Sequence, residues 1–386
     1  MWATTCDEVI YPLVEKSTEW SESKFRSEFN SWLKARAPFD PLPLDDEERT
    51  AYLSQWQQKL FQAGYVGASF PTEFGGQGLP SSCEAIILEE LGAAGAPSAF
   101  HYAYVARVIL EFGTAMQRAR YLQPALSGSE RWCQGFSEPD AGSDLAAVRT
   151  IAKRDGEDFI ISGQKVWSSR AHWADWCLLL VRTGDLDSRH RGLTVFIVDV
   201  KSQGLTIRPF RQMNGALEFA EIFLDDVRVP AANMVGELNG GWQIAMSTVA
   251  YERGPADVGL LADLRRQIYE LVTHGREAKW APTSTQSLRL ARLVVEADVL
   301  QSHVMRGLHD PLLDDPTHAS VDKVLVTDLI QSIGRLQIDT FGASVALGER
   351  PDIMFDYLYG RSASVYGGTA QIQRNVIAQR VLGLPR

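Results

Sequence analysis

Glu252 is the carboxylate whose setting invites chemistry. It follows Ala245 and Val249 by helical steps of seven and three, so the three side chains share one face of a helix. A face with two apolar residues packs inward, and an inward carboxylate costs free energy unless it is paired or put to use. Two roles are open to it. One is a use in chemistry, for which burial raises a carboxyl pKa above its ordinary value. The other role is structural, answering an arginine elsewhere among the helices. Arg253 follows directly and could orient the carboxylate or its pocket. Other chemistries are poorly served. The seven histidines include no HExxH and no pair at i, i+4, so no metal site is expected. Gly342-Ala-Ser-Val-Ala346 approaches a GxSxG elbow but lacks the last glycine. Gly75-Gly-Gln-Gly78 is not a dinucleotide fingerprint, because no strand precedes it and no GxGxxG follows.

The elements that must hold these residues fall into three zones, with boundaries expected at 1–130, 131–235 and 236–386. The first reads as mostly helical. Apolar residues recur at helical spacing over Glu48–Phe61 and Ser81–Leu91, the latter with Ser81 as an N-cap and Glu84 completing a capping box. Gly64 to Gly78 is dense in turn residues and reads as a loop. From Arg131 the segments become short, alternating and rich in β-branched and aromatic residues. Ala147–Lys153 and Asp158–Ser162 flank Asp155-Gly156 as a hairpin, and Trp176–Arg182, Leu193–Val200, Leu205–Phe210 and Glu221–Val229 follow, which predicts a small antiparallel β-domain. After Pro230 the helical period returns over Gly241–Glu252, Leu260–His274, Ser287–Leu308, Ser320–Leu347 and Ala370–Leu382, long enough for a bundle.

The bulk properties narrow the class. The chain has 386 residues, 45% hydrophobic and 22% charged, as expected of a folded protein with a large core. A net charge of −10 without a basic stripe argues against nucleic acid, while a few local arginines or helix N-termini could still hold a small anion. Cys6, Cys83, Cys133 and Cys177 are widely spaced with no CxxC, which reads as buried or free thiols in a reducing compartment. The N-terminus lacks a basic region followed by an apolar run, and the longest apolar stretches, such as Trp176–Val181, are too short to span a bilayer. A cytoplasmic protein with no membrane association is expected.

Two stretches carry a family resemblance. One is Gly135-Phe-Ser-Glu-Pro-Asp-Ala-Gly-Ser-Asp144; the other is Tyr366-Gly-Gly-Thr-Ala-Gln-Ile-Gln-Arg374, running on to Arg380-Val-Leu-Gly-Leu-Pro-Arg386. Gly163-Gln-Lys-Val-Trp-Ser-Ser169, Trp173-Ala-Asp-Trp176 and Pro71-Thr-Glu-Phe-Gly-Gly-Gln-Gly78 fit the same pattern, in the same order along almost the whole chain. Together they resemble the acyl-CoA dehydrogenases, with Phe136 standing where an aliphatic residue is usual. The resemblance implies a helical N-terminal domain, a middle antiparallel β-domain and a C-terminal helical bundle. It also implies FAD, an acyl-CoA substrate and a protein electron acceptor like electron-transfer flavoprotein. In that family a carboxylate removes the α-proton of the thioester while a hydride leaves the β-carbon for flavin N5. The thioester carbonyl is polarised by a ribityl hydroxyl and by a backbone N–H of the closing segment. Carried onto this chain, Ser137 and Ser169 bond the flavin edge, Trp167 packs on the ring, and Phe136 supplies apolar wall. Gly142 and Ser143 meet the pyrophosphate, and Gln134, Thr369 and Gln371 complete the cofactor site.

The chain departs from the family pattern in two places. Most members carry the catalytic Glu immediately before Gly-Thr in the closing segment; here that residue is Gly367, which keeps a backbone N–H but offers no carboxylate. Some members place the base on a helix immediately before an arginine, which here is Tyr251-Glu252-Arg253-Gly254. Homotetrameric members also carry Arg-x-x-Phe-Gly to hold a neighbour's FAD, whereas this chain reads Arg276-Glu-Ala-Lys-Trp-Ala-Pro-Thr-Ser284, and the glutamine–glycine motif is indistinct around Gly334 to Gly348. An oligomer is expected, homomeric or an α2β2 heteromer in which a partner provides the adenine pocket. Family heteromers of that kind tend to take bulky steroid- or ring-derived CoA esters. Two alternatives stand beside α,β-dehydrogenation: a flavin oxidase or monooxygenase of the same fold, and a non-catalytic partner subunit.

Overall fold

The computed structural model describes residues 21–39, 42–43, 45–98, 103–251, 255–281, 283–309 and 319–385. Five helices open the chain: α1 (Glu22–Lys34), α2 (Asp46–Gln62), α3 (Ser82–Ala93), α4 (Ala103–Phe112) and α5 (Ala115–Ser127). Their starts are set by local chemistry. Asp45 accepts from the backbone N–H of Glu47 and Glu48 at 3.0 Å, and Asp46, Glu47 and Glu48 place negative charge at the positive end of α2. Thr114 and Gln117 form a capping box on α5, which ends at Gly128 with φ +73°. The capping box expected at Ser81 does not form. The Ser81 side chain makes no cap bond, and Glu84 turns to Ser69 (2.6 Å) and to Arg107 (2.7 Å), because an ion pair draws a carboxylate more strongly than an amide does.

The central sheet comprises β1 (Trp132–Gly135), β2 (Ile151–Asp155), β3 (Asp158–Ser169), β4 (Trp176–Arg182), β5 (Leu193–Asp199), β6 (Leu205–Phe210), β7 (Phe219–Pro230) and β8 (Met234–Val235). Its order is β6-β7-β3-β2-β4-β5-β8, with β1 paired to β4. The β2–β3 hairpin turns at Gly156 as the sequence predicts, but β2 begins at Ile151 rather than Ala147, and β3 runs on to Ser169. The sheet is antiparallel except where β1 and β2 meet β4. Those parallel pairings arise because β1 enters directly from the helical domain. β4 is buried along almost its whole length, with Leu178 and Leu180 in a core shared with α1–α5 and Cys177, Leu179 and Val181 in the core under the opposite face. A strand covered on both faces needs no polar alternation, which accounts for the continuous apolar run.

The C-terminal part holds α6 (Gly241–Tyr251), α7 (Pro255–Glu277), α8 (Thr285–His309), α9 (Ala319–Ala346), α10 (Pro351–Tyr359) and α11 (Ala370–Val376). α7, α8 and α9 share a third core built on Leu261, Ile268, Leu293, Leu300 and Leu329. α9 kinks at Gly342, the helix expected over Ala370–Leu382 passes into a π turn at Ile377–Val381, and α10 was not foreseen. Of the face read as inward, Ala245 of α6 is fully buried in the first core and Val249 is half-buried, while Glu252 lies outside the described residues. Among the described residues no helix is long and apolar enough to cross a membrane.

Candidate active site

The centre of the site is a bulge at the end of β3. Pairing with β7 slips between Lys165 and Ser168, and Trp167 takes φ +61°, a strained value for a large side chain. The strain turns Trp167 outward, 59% exposed, with its ring edge-on to Phe210 (5.2 Å) and Phe219 (5.7 Å). Ser168 is thrown inward, 1% exposed, and its Oγ has no hydrogen-bond partner. Ser169 is exposed and paired with Phe219 in the ladder. Ser137 joins this edge through its carbonyl, which accepts from the Val166 N–H at 2.9 Å. Phe136 is buried in the first core, beneath the edge rather than on it, and Gln134 is half-buried within β1.

A buried ion pair fixes this edge. The Lys165 ammonium, fully enclosed, donates to Glu138 Oε1 (2.8 Å) and to the Phe136 carbonyl (3.1 Å). Glu138 also accepts from the backbone N–H of Arg149 (2.7 Å) and Thr150 (2.8 Å). Burial pushes the Lys165 ammonium down to about 8, opposed by Glu138, so it stays mostly charged near neutrality. Although burial alone would raise the Glu138 carboxyl, Lys165, Thr150 and Arg149 together hold it below its ordinary value. Arg182, also buried, donates to the carbonyls of Ala146, Val148 and Arg189, each at 2.8 Å, and so fastens the segment after Gly142 and Ser143. Those two residues are exposed, and a Cβ on Gly142 would meet nothing within 4 Å. Sequence reasoning overlooked Lys165 and Arg182. The signal for Lys165 was parity: it shares the inward register of Phe159 and Ile161 along β3.

The closing segment carries the remaining candidate residues. Burial raises the pKa of both Tyr359 and Tyr366, helped at Tyr359 by Glu218 and at Tyr366 by Asp257 and then Glu218, the carboxylate that pairs with Arg170 at 3.2 Å. Gly367 and Gly368 follow with φ +62° and +92°; the amide of buried Gln373 donates to both carbonyls at 3.3 Å, while its Oε1 is unpaired. Thr369 caps α11 through its Oγ1, which accepts from Ile372 N at 3.2 Å, and Gln371 is exposed. Glu252 and Arg253 lie outside the described residues; the last residue of α6, Tyr251, donates to Glu111 Oε2 at 2.6 Å.

Family models for the acyl-CoA dehydrogenase N-terminal, middle and C-terminal domains match residues 21–129, 133–227 and 239–382. The chain belongs to the acyl-CoA dehydrogenase family. It is similar to acyl-CoA dehydrogenase IpdE1 of Mycobacterium tuberculosis, 37% identical over 348 residues that cover 88% of this chain and 89% of the relative. FadE26 of the same organism is 33% identical, over 84% of this chain and 86% of its own. Among solved structures it resembles the ChsE4-ChsE5 complex from Mycobacterium tuberculosis, with TM-score 0.78 and 29% identity over 96% of this chain and 99% of that one. It also resembles the Tcur3481-Tcur3483 steroid ACAD, with TM-score 0.81 and 26% identity over 94% and 97%. The chain is thus an oxidoreductase of a flavoprotein family. The β3 edge of this dehydrogenase suits that cofactor: Trp167 offers an exposed apolar wall, Ser168 a buried hydroxyl without a partner, and Gly142 open space. No group of His, Cys, Asp and Glu able to hold a metal occurs among the described residues.

Proposed function

We propose that this chain is an FAD-dependent dehydrogenase that converts a bulky acyl-CoA thioester to its 2-enoyl-CoA, in partnership with a second homologous subunit. The observation that carries the reading is the β3 bulge, which exposes Trp167 and buries the Ser168 hydroxyl without a partner, in a chain whose residue 367 is glycine. Trp167 packs on the ring; Ser137 and Ser169 bond its edge. Gly142 and Ser143 meet the pyrophosphate, and Gln134, Thr369 and Gln371 complete the hold on FAD. When bound, the flavin supplies the hydride acceptor. Gly367 contributes its backbone N–H to the thioester carbonyl. Proton removal falls to Glu252, seven residues after buried Ala245 in the sequence, with Arg253 orienting it. Phe136 supports the platform from the core.

The heteromer follows from the far end of the cofactor. Where Arg-x-x-Phe-Gly would place Phe and Gly, this chain has Lys279 and Trp280, and the Trp280 ring closes over Gly275, leaving 2.7 Å from a Cβ built there. A ring folded back onto α7 is not available to a neighbour's adenine. The ChsE4-ChsE5 structure is described as a complex and the Tcur3481-Tcur3483 structure as a steroid ACAD, which favours an α2β2 assembly acting on a steroid- or ring-derived acyl group. Electrons then pass to a protein acceptor of the electron-transfer-flavoprotein kind, in the cytoplasm.

The test is the visible spectrum of the purified chain, alone and with a second subunit, before and after anaerobic addition of CoA thioesters. Flavin that bleaches with an acyl-CoA, and bleaches about 10²–10⁴-fold more slowly in Glu252→Gln, is expected. Unaltered bleaching in that variant would sink Glu252 as the base. A fully flavinylated homo-oligomer would sink the heteromer.

A further inference from the structure

One side of α9 runs along the closing segment at four-residue intervals. Gln331 Nε2 lies 3.4 Å from Ser364 Oγ, Thr327 Oγ1 donates to the Ala363 carbonyl at 3.3 Å, and the Lys323 ammonium stands over the Tyr366 ring, 4.1 Å from its centroid. The strip therefore ends in a cation beside residue 367. A Cβ built on Gly367 would have the Lys323 Nζ as its nearest neighbour, at 3.8 Å. A carboxylate extending from that Cβ would reach the ammonium, so the place of the usual family base is here flanked by a positive charge. Tyr366 is held in its phenol form, pushed up to about 12 by burial with help from Asp257 and Glu218, and presents an uncharged ring to the cation.

We propose that Lys323 stabilises charge in the dehydrogenation itself: its ammonium lies beside the thioester held at Gly367 and favours the enolate that forms as the α-proton leaves. The inference rests on the dehydrogenase reading above. In that step the α C–H bond breaks, the proton goes to the carboxylate base, and the electron pair moves into the thioester carbonyl. Lys323 neither gives nor takes a proton. A fixed cation in a water-poor cleft acts on such developing charge with little reorganisation. Gly367 is then more than a lost carboxylate. A side chain there would stand between the cation and the acyl group, and glycine leaves the approach open.

The experiment uses the flavin-loaded enzyme, with its partner subunit where loading requires one, and acetoacetyl-CoA, whose enolate is read by its ultraviolet absorption. At saturation and fixed pH, Lys323→Met and Lys323→Gln are expected to lower the enolate-to-keto ratio about tenfold, while Lys323→Arg stays within about threefold of the unaltered protein. Gln331→Ala removes a neutral contact with the same segment and should leave the ratio unchanged. An unchanged ratio in Lys323→Met, or an equal fall in Gln331→Ala, overturns the proposal, the second because it would make the role one of packing. Failure of the unaltered, flavin-loaded protein to bleach with any CoA thioester, bulky ones included, overturns the dehydrogenase reading and this inference with it.

Discussion

The β3 edge and the closing segment both carry candidate site residues, yet they are built in opposite ways. The edge rests on charge taken wholly out of water: Lys165 is fully enclosed, and Glu138 accepts three bonds of 2.7–2.8 Å. The closing segment rests on two left-handed glycines, one buried glutamine at 3.3 Å, and a lysine laid over a tyrosine ring. A buried ion pair tolerates few alternative arrangements, because either partner alone is left as an uncompensated charge. Glycines held by long hydrogen bonds tolerate many. The β3 edge is thus held rigidly, while the closing segment can exchange its side chains without rebuilding the fold.

The contrast is broken most directly at Glu138. Glu138→Gln leaves the Lys165 charge buried without its carboxylate, and a loss of about 3–5 kcal/mol in denaturant unfolding is expected. Glu138→Gln/Lys165→Met should recover part of that loss, since removing both charges costs less than removing one. The pH dependence has a definite sign. The folded protein holds the Glu138 carboxyl below its ordinary value of 4.5, so between the two the unfolded chain binds the extra proton. The stability that Glu138 contributes is therefore present above its ordinary range and lost as pH falls through its folded value. The acid limb of a stability–pH curve should be shallower in Glu138→Gln. An equal limb would place the source of acid sensitivity elsewhere.

The same glycine-to-alanine change sharpens the comparison when it is made in both regions. In the platform, a Cβ on Gly135 would stand 2.7 Å from Leu179 Cδ1 and 3.0 Å from Cys177 Sγ, in a sheet packed on both faces. Gly135→Ala should cost about 1–3 kcal/mol through overpacking. In the closing segment, a Cβ on Gly367 meets nothing nearer than 3.8 Å, so Gly367→Ala meets only the backbone term at φ +62°, about 1 kcal/mol. Thermal unfolding of the two variants reads the order directly. A larger loss at Gly367 would mean that the closing segment is the more tightly fitted region.

How much of this was legible in the sequence follows the same division. The three-zone order, the β2–β3 hairpin and the burial of Ala245 are local-pattern signals, and the structure reproduces them. The parallel pairing of β1 with β4 was not legible, because register between distant strands is set by packing against the helical domain rather than by either strand alone. Glu84 was misread because its partner, Arg107, lies on another helix and outcompetes the local amide. At the bulge, a one-residue slip between Lys165 and Ser168 moved the inward role onto Ser168 and left Ser169 exposed. Alternation predicts faces only where the ladder is unbroken.

That slip gives the smallest expected effect and the one whose sign is most informative. Ser168 Oγ is buried with no partner, and an unsatisfied buried hydroxyl lowers stability rather than adding to it. Ser168→Ala should leave the flavin-free protein as stable as before or slightly more so. If the hydroxyl is kept for the flavin, the same change should weaken flavin binding by about 1 kcal/mol, roughly a fivefold rise in Kd, as expected for one lost hydrogen bond. Thermal unfolding with and without FAD reads both effects in one experiment, because ligand stabilisation follows affinity. Opposite signs would tie the orphaned hydroxyl to the cofactor. A loss of stability in the flavin-free protein would show that Ser168 already has a partner inside the fold.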